Sequence, residues 1–241
     1  MSRASAGANS LSAKTLQSSH PPLAFGPMEK AAEVESEANT EPELPWPDVP
    51  RVGFGPGDAR HLDADVKWAQ SYGEHGMFGY VEGYRRAATA VFEAATRDRQ
   101  SPAYSVWPLA FLWRHHLELA MKDIIAVGRE IEGDDGFPPH HRLLDLWREV
   151  RKHIEVAGHD EDPALPNVEM SIKEFDKIDP TGEGFRYPVT KDLRSRSLPN
   201  VPSHINLARL HEAMEAVATF LDCARTALGE RLDLARELAA Y

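Results

Sequence analysis

The stretch WPLAFLWRHHLELAMKDII, residues 107–125, decides the fold. Leu109, Leu112, Trp113, Leu117, Ala120, Met121 and Ile124 recur at steps of three and four residues, the spacing of one face of an α-helix. This predicts a helix that sets a broad apolar stripe against a core. Its other face carries charge in register: Arg114, Glu118 and Lys122 stand at i, i+4 and i+8, and His115 lies three residues before Glu118. Side chains at these spacings form one column along a helix. The column has two readings. One is a ladder of ion pairs on a solvated face, each worth about 0.3–0.5 kcal/mol. The other is an acid/base and phosphate-holding cluster. In it Arg binds a phosphate bidentately, Glu orients or accepts a proton, and Lys stabilises developing charge.

Helical patterns flank this segment on both sides. Residues 63–97 read as helical, with Gly73, Gly76, Gly79 and Gly83 weakening the first half and Phe78, Val81, Tyr84, Ala88, Val91, Phe92 and Ala95 forming a face. Ser101 and Pro102 punctuate, and Pro108 marks the first turn or a kink of the central helix. After the turn-rich EGDDGFPP, the segment HHRLLDLWREVRKHI places Leu143, Leu146, Trp147, Val150 and Ile154 on one side of a third helix. A shorter helix is expected over 167–178, with Val168, Ile172 and Phe175 inward. The next run, DPTGEGFRYPVTKDLRSRSLPNVP, has no clean period and reads as a long ordered loop, a kind of segment that carries function more often than packing. Ser203 is the expected N-cap of a last helix. There Leu207, Leu210, Met214, Val217, Leu221 and Ala224 repeat at a spacing near 3.5 residues and the pattern continues past Gly229. That stripe either packs within the same bundle or pairs with a second copy of the chain. With no internal repeat and no alternating strand pattern, the fold class is all-α, a helical bundle over residues 61–241.

Residues 1–60 are rich in Ser, Ala, Pro and Glu and read as a disordered arm, with Trp46 and Phe54 as possible anchors of its last part. The chain's net charge is −11, and the arm contributes only −3 of it, from five Lys+Arg and eight Asp+Glu. A protein that coats nucleic acid nonspecifically is usually basic. Contact with RNA would therefore need a local basic patch. No run approaches the roughly 18–20 apolar residues of a membrane span, and the first residues lack the apolar segment of a signal peptide; a cytoplasmic protein is expected. Cys223, the lone cysteine, rules out an intramolecular disulfide and a cysteine metal site, and its helical spacing favours a buried packing role.

Two further groups have chemical potential. His140 and His141 follow Pro138 and Pro139 at a helix start, where an imidazole would be held in place for proton transfer; they read equally as exposed N-terminal residues. The loop holds Arg186, Tyr187, Lys191, Arg194 and Arg196, four cations and an aromatic in an acidic protein. The combination suits phosphate contact and base stacking, or a solvated loop pinned by Phe185 and Tyr187. No histidine spacing fits a metal site, so no metal or cofactor is expected. The absence of GxxxxGK[ST], GxGxxG and GxSxG argues against a triphosphate cradle, a Rossmann domain and an α/β-hydrolase.

FLWRHHLELAMK, HRLLDLW, IDP and FRYP, in that order, resemble the HEPN superfamily of small all-α domains over roughly residues 78–228. Many members are RNases or partners in toxin–antitoxin and phage-defence systems. The usual nuclease signature of that superfamily, Arg followed four to six residues later by His near the start of the fourth helix, is missing here. Arg148 and His153 have the spacing but turn to different faces of their helix. The chain is more similar to the anticodon-nuclease members, with Arg-x3-Glu on one helix and a later His; Arg114, Glu118 and His141 take those positions. The resemblance implies a metal-independent endoribonuclease, commonly dimeric. Arg114, Glu118, His141 and Lys122 would be catalytic, and His115, Arg186, Tyr187, Lys191, Arg194 and Arg196 would bind substrate. The alternative is a non-catalytic module that binds a partner protein in a defence or toxin–antitoxin complex.

Overall fold

The long apolar segment at the centre of the sequence becomes a helix of thirty residues, Pro102–Ile131, and the rest of the chain is arranged around it. In the computed structural model the described residues are 59–71, 75–97, 102–159 and 161–240; the arm read from the sequence, with Trp46 and Phe54, lies outside them up to residue 58. A 3-10 turn, Arg60–Leu62, precedes six α-helices: α1 (Val66–Ser71), α2 (Phe78–Arg97), α3 (Pro102–Ile131), α4 (Leu143–Val156), α5 (Leu165–Ile178) and α6 (Leu207–Ala239). Among the described residues there is no strand; one isolated antiparallel bridge joins Val189 to Arg196 in the loop between α5 and α6. The described residues all lie in one unit, 56–241. The fold is all-α.

α3 packs against α2, α4 and α6, and α5 closes over α4 and α6. Leu109, Trp113, Leu117, Met121, Ile124 and Ile125 of α3 are fully buried, meeting Leu143, Leu146 and Trp147 of α4 and Val217, Ala218 and Leu221 of α6 in one core. At roughly 1.5–3 kcal/mol for each large apolar side chain removed from water, this layer dominates the stabilisation of the bundle. The regular spacing of apolar residues in α6 is consumed here: Leu207, Met214, Val217, Leu221, Leu228 and Leu232 are buried within the same chain. Where α3 crosses α4, Gly128 allows the closest approach, since a Cβ there would lie 2.4 Å from the His153 ring. His153 is thereby buried and its Nδ1 sits 3.2 Å from Glu132, while Arg148 stays exposed and pairs with Asp145.

Several boundaries differ from the sequence expectation. α3 starts at Pro102, so Pro108 lies inside the helix as its seventh residue. The carbonyl that Pro108 leaves without its helical partner belongs to Tyr104, a residue 80% exposed. The glycine-bearing segment before Phe78 divides the first helical region into α1 and α2. His140 and His141 precede α4 rather than starting it: the helix begins at Leu143, and the residue before it, Arg142, is extended (φ −77, ψ 113). α6 is capped by Asn206, whose side chain accepts from the Arg209 N–H at 3.0 Å, and not by Ser203. Cys223 is exposed on α6 and not a packing residue.

Candidate functional site

Arg114, Glu118 and Lys122 do form a column on α3, but it faces inward. The three residues are 2%, 3% and 6% exposed, because the segment before α4 and the loop after α5 cover this side of the helix. The reading of a solvated ladder is therefore wrong for this face: four charged groups, with Asp179 as the second anion, are shut away from water and must satisfy one another.

They do so through a connected set of bonds. Arg114 Nη1 donates to Glu118 Oε2 at 3.0 Å, Nη2 donates to the His141 carbonyl at 2.7 Å, and Nε donates to the Asp179 carbonyl at 3.3 Å. One guanidinium thus ties α3 to two segments distant in sequence. Lys122 Nζ donates to Glu118 Oε1 at 2.9 Å and lies over the Phe137 ring. The same Oε1 accepts from His141 Nδ1 at 2.7 Å. Burial alone would raise the Glu118 carboxyl, but hydrogen bonds from His141 and Lys122 and the charges of Lys122 and Arg114 outweigh it and hold the group below its ordinary value of 4.5. Glu118 is accordingly a carboxylate, an acceptor only, and His141 carries its proton on Nδ1 toward it. Nε2 is left as the nitrogen available to a reactant, on a side chain 62% exposed.

Asp179, the C-cap of α5, organises the third segment. Its Oδ1 accepts from the backbone N–H of Gly182 at 2.9 Å and of Gly184 at 3.1 Å. Oδ2 accepts no hydrogen bond and lies 3.6 Å from Arg114 Nε, an electrostatic contact only. Gly182 has φ +78, and a Cβ there would fall 2.6 Å from Arg114 Nη1. Glycine is required twice over, for the turn and for the room it gives the guanidinium.

An aromatic layer adjoins the Glu118–His141 pair, here called the dyad. The His115 ring meets Tyr84 edge-on with centroids 4.4 Å apart and lies parallel to Phe111 at 5.7 Å. Burial lowers the pKa of His115 and Glu118 raises it, but Arg114, Arg186 and Lys122 reinforce the lowering, so the ring is held below 6.5. The Arg186 guanidinium sits 5.8 Å from the Phe111 centroid and 5.5 Å from that of Tyr187.

The sequence candidates therefore divide. Arg114, Glu118, Lys122 and His141 converge, and His115 and Arg186 border them. Tyr187 and Lys191 lie farther along the loop, with Lys191 Nζ 2.8 Å from Glu183. Arg194 and Arg196 are exposed beyond them. Asp179 was missed as a site residue, although a carboxylate in IDP, just ahead of the glycines of TGEG, is a turn-forming signal. Phe111 and Tyr84 were missed because their apolar helical spacing reads as core. Among the described residues no group of three or more His, Cys, Asp or Glu is placed to hold a metal ion, and no helix is long and apolar enough to cross a membrane. Comparison with family models, curated proteins and solved structures gives no match.

Proposed function

We propose that the chain is a metal-independent endoribonuclease of HEPN type, working on RNA in a toxin or phage-defence setting. The observation that carries the reading is the Glu118–His141 pair: a buried, ionised carboxylate fixed by two cations and holding an exposed imidazole by its Nδ1–H. This arrangement sets the tautomer and leaves Nε2 free to take a proton. In the proposed reaction Nε2 takes the proton of a ribose 2′-OH, and the 2′ oxygen bonds to the adjacent phosphorus. The bond from phosphorus to the 5′ oxygen breaks, and that oxygen takes a proton from solvent at this open face. The products are a 2′,3′-cyclic phosphate and a 5′-OH. Arg114 and Lys122, whose donors face Glu118 and the backbone, act by positioning the dyad. Arg186, exposed and aromatic-backed, is the cation for a phosphate.

A second reading draws on the same geometry. Three of the four charged heads satisfy one another inside the fold, which is also how a purely structural polar network looks. That favours a non-catalytic HEPN-like module for a partner protein. Incubation of total RNA with excess chelator, comparing the natural chain with His141→Ala, separates the two. Cleavage lost in the variant supports the nuclease. Cleavage that persists places the chemistry elsewhere, and no cleavage by either chain, with a partner protein co-purifying in stoichiometric amount, favours the module.

A further inference from the structure

The loop after α5 encloses a cleft of about 870 Å3, a size in the range of small-molecule sites. Its wall mixes two chemistries. Pro180, Val189, Leu193 and Pro199 supply apolar surface, while Arg186, Lys191 and Arg196 supply positive charge, with Tyr187 between them. The Arg186 guanidinium is backed by the Phe111 and Tyr187 rings, a setting that leaves the edges of its planar fork to meet an anion.

The rim carries a local cost. Leu193 is 77% exposed and has φ +59, the left-handed conformation that a leucine seldom adopts. Its N–H donates to the Thr190 carbonyl at 2.8 Å, and the Val189–Arg196 bridge closes the turn that holds it there. A turn that forces an apolar side chain into strain and into water at the mouth of a cavity is a feature that folding alone does not require. Tyr187, 57% exposed, adds a second uncovered apolar face on the same rim. A ligand complementary to this surface is flat, largely apolar and anionic at one end.

We propose that the cleft binds one nucleotide, with its base against Tyr187 and the apolar wall and its phosphate on Arg186 and Arg196. The position relative to the Glu118–His141 pair follows from the chain itself: Thr181 and Glu183 line the cleft, and Gly182 between them lies against the Arg114 guanidinium that binds Glu118 and the His141 carbonyl. In its placement next to a scissile bond the proposal rests on the ribonuclease reading; in its chemistry it does not. The nucleotide is either an unpaired unit of an RNA strand or a free mononucleotide.

Titration calorimetry on the full chain distinguishes these. The probes are a short single-stranded RNA blocked as 2′-O-methyl, which this reaction cannot cleave, the four nucleoside monophosphates, and inorganic phosphate. Arg196→Glu and Leu193→Asn both alter exposed positions, and asparagine tolerates the left-handed conformation, so the circular dichroism spectrum should not change. Each is expected to weaken binding of the blocked RNA about tenfold or more, as loss of a stacking or phosphate contact does. Monophosphates that compete for the same site would point to a free nucleotide as the source. Unchanged affinity in both variants overturns the proposal, as does binding of none of the probes or of inorganic phosphate as well as the RNA. Variant-sensitive binding with no cleavage by the natural chain upholds the cleft and sinks the ribonuclease reading. Cleavage with affinity indifferent to both variants does the reverse.

Discussion

Glu118 accepts three charge-assisted hydrogen bonds with almost no access to water, so its removal leaves two cations buried without their common anion. Glu118→Ala is expected to destabilise the fold by about 3–5 kcal/mol, read from urea unfolding. His141→Ala removes one of those three bonds from an exposed ring and should cost less, about 1–2 kcal/mol, while lowering RNA cleavage about 100-fold or more. Opposite effects of the two variants on stability and activity would undo the assignment of roles. His115 and Glu118 also contribute a pH dependence, to which His116, likewise lowered by burial, adds with the sign of His115. His115 is held below 6.5 in the fold, mainly by burial. Between that lowered value and 6.5 the unfolded chain binds more protons, so stability falls as the pH drops through this window. Glu118 is held below 4.5; its contribution is complete above that value and is lost as the pH falls through the folded one. Both slopes have the same sign, and thermal melts from about pH 8 to pH 4 should show it, with His115→Gln reducing the upper part and His116 supplying what remains of it.

At the level of elements, the parts that were legible in the sequence are those set by periodicity. The faces of α2, α4 and α6 were readable because each alternates apolar and polar residues at helical spacing. The inward turn of Arg114, Glu118 and Lys122 was not, since nothing local says that residues near 141 and 179 will cover them; that depends on contacts distant in sequence. Cys223 shares the spacing of its packed neighbours yet faces out, because α6 is long and its stripe is narrow. The cap of α6 was misplaced by three residues because Ser203 and Asn206 are both good caps, and only the Arg209 N–H identifies the one in use. One cap could not have been read locally at all: the Leu144 N–H at the start of α4 donates to Asp176 Oδ1 of α5 at 3.3 Å. Asp176→Ala should cost about 1 kcal/mol. Gly182→Ala should be costlier, about 1–3 kcal/mol, with helical content intact and cleavage reduced, because the added methyl meets Arg114 in a backbone conformation alanine resists.

For the molecule as a whole, the core and the candidate site both lie within residues 56–241, so a chain trimmed to residues 59–241 should retain a helical far-UV spectrum and a cooperative melt. A strand-dominated spectrum would contradict the architecture. A dimer in solution, testable by light scattering, would have to form through some surface other than the buried stretch of the α6 stripe from Met214 to Leu232; Leu234 and Leu238 beyond it are exposed. The Arg114 guanidinium imposes an order in time as well as in space. Its partners lie 4, 27 and 65 positions away along the chain. A polypeptide emerging from the ribosome would have α3 and the dyad histidine in hand well before Asp179 arrives to complete the set. Until then the guanidinium has no loop to hold, so the segment before α4 and the loop after α5 become tied to one another through α3 only once α5 has been made.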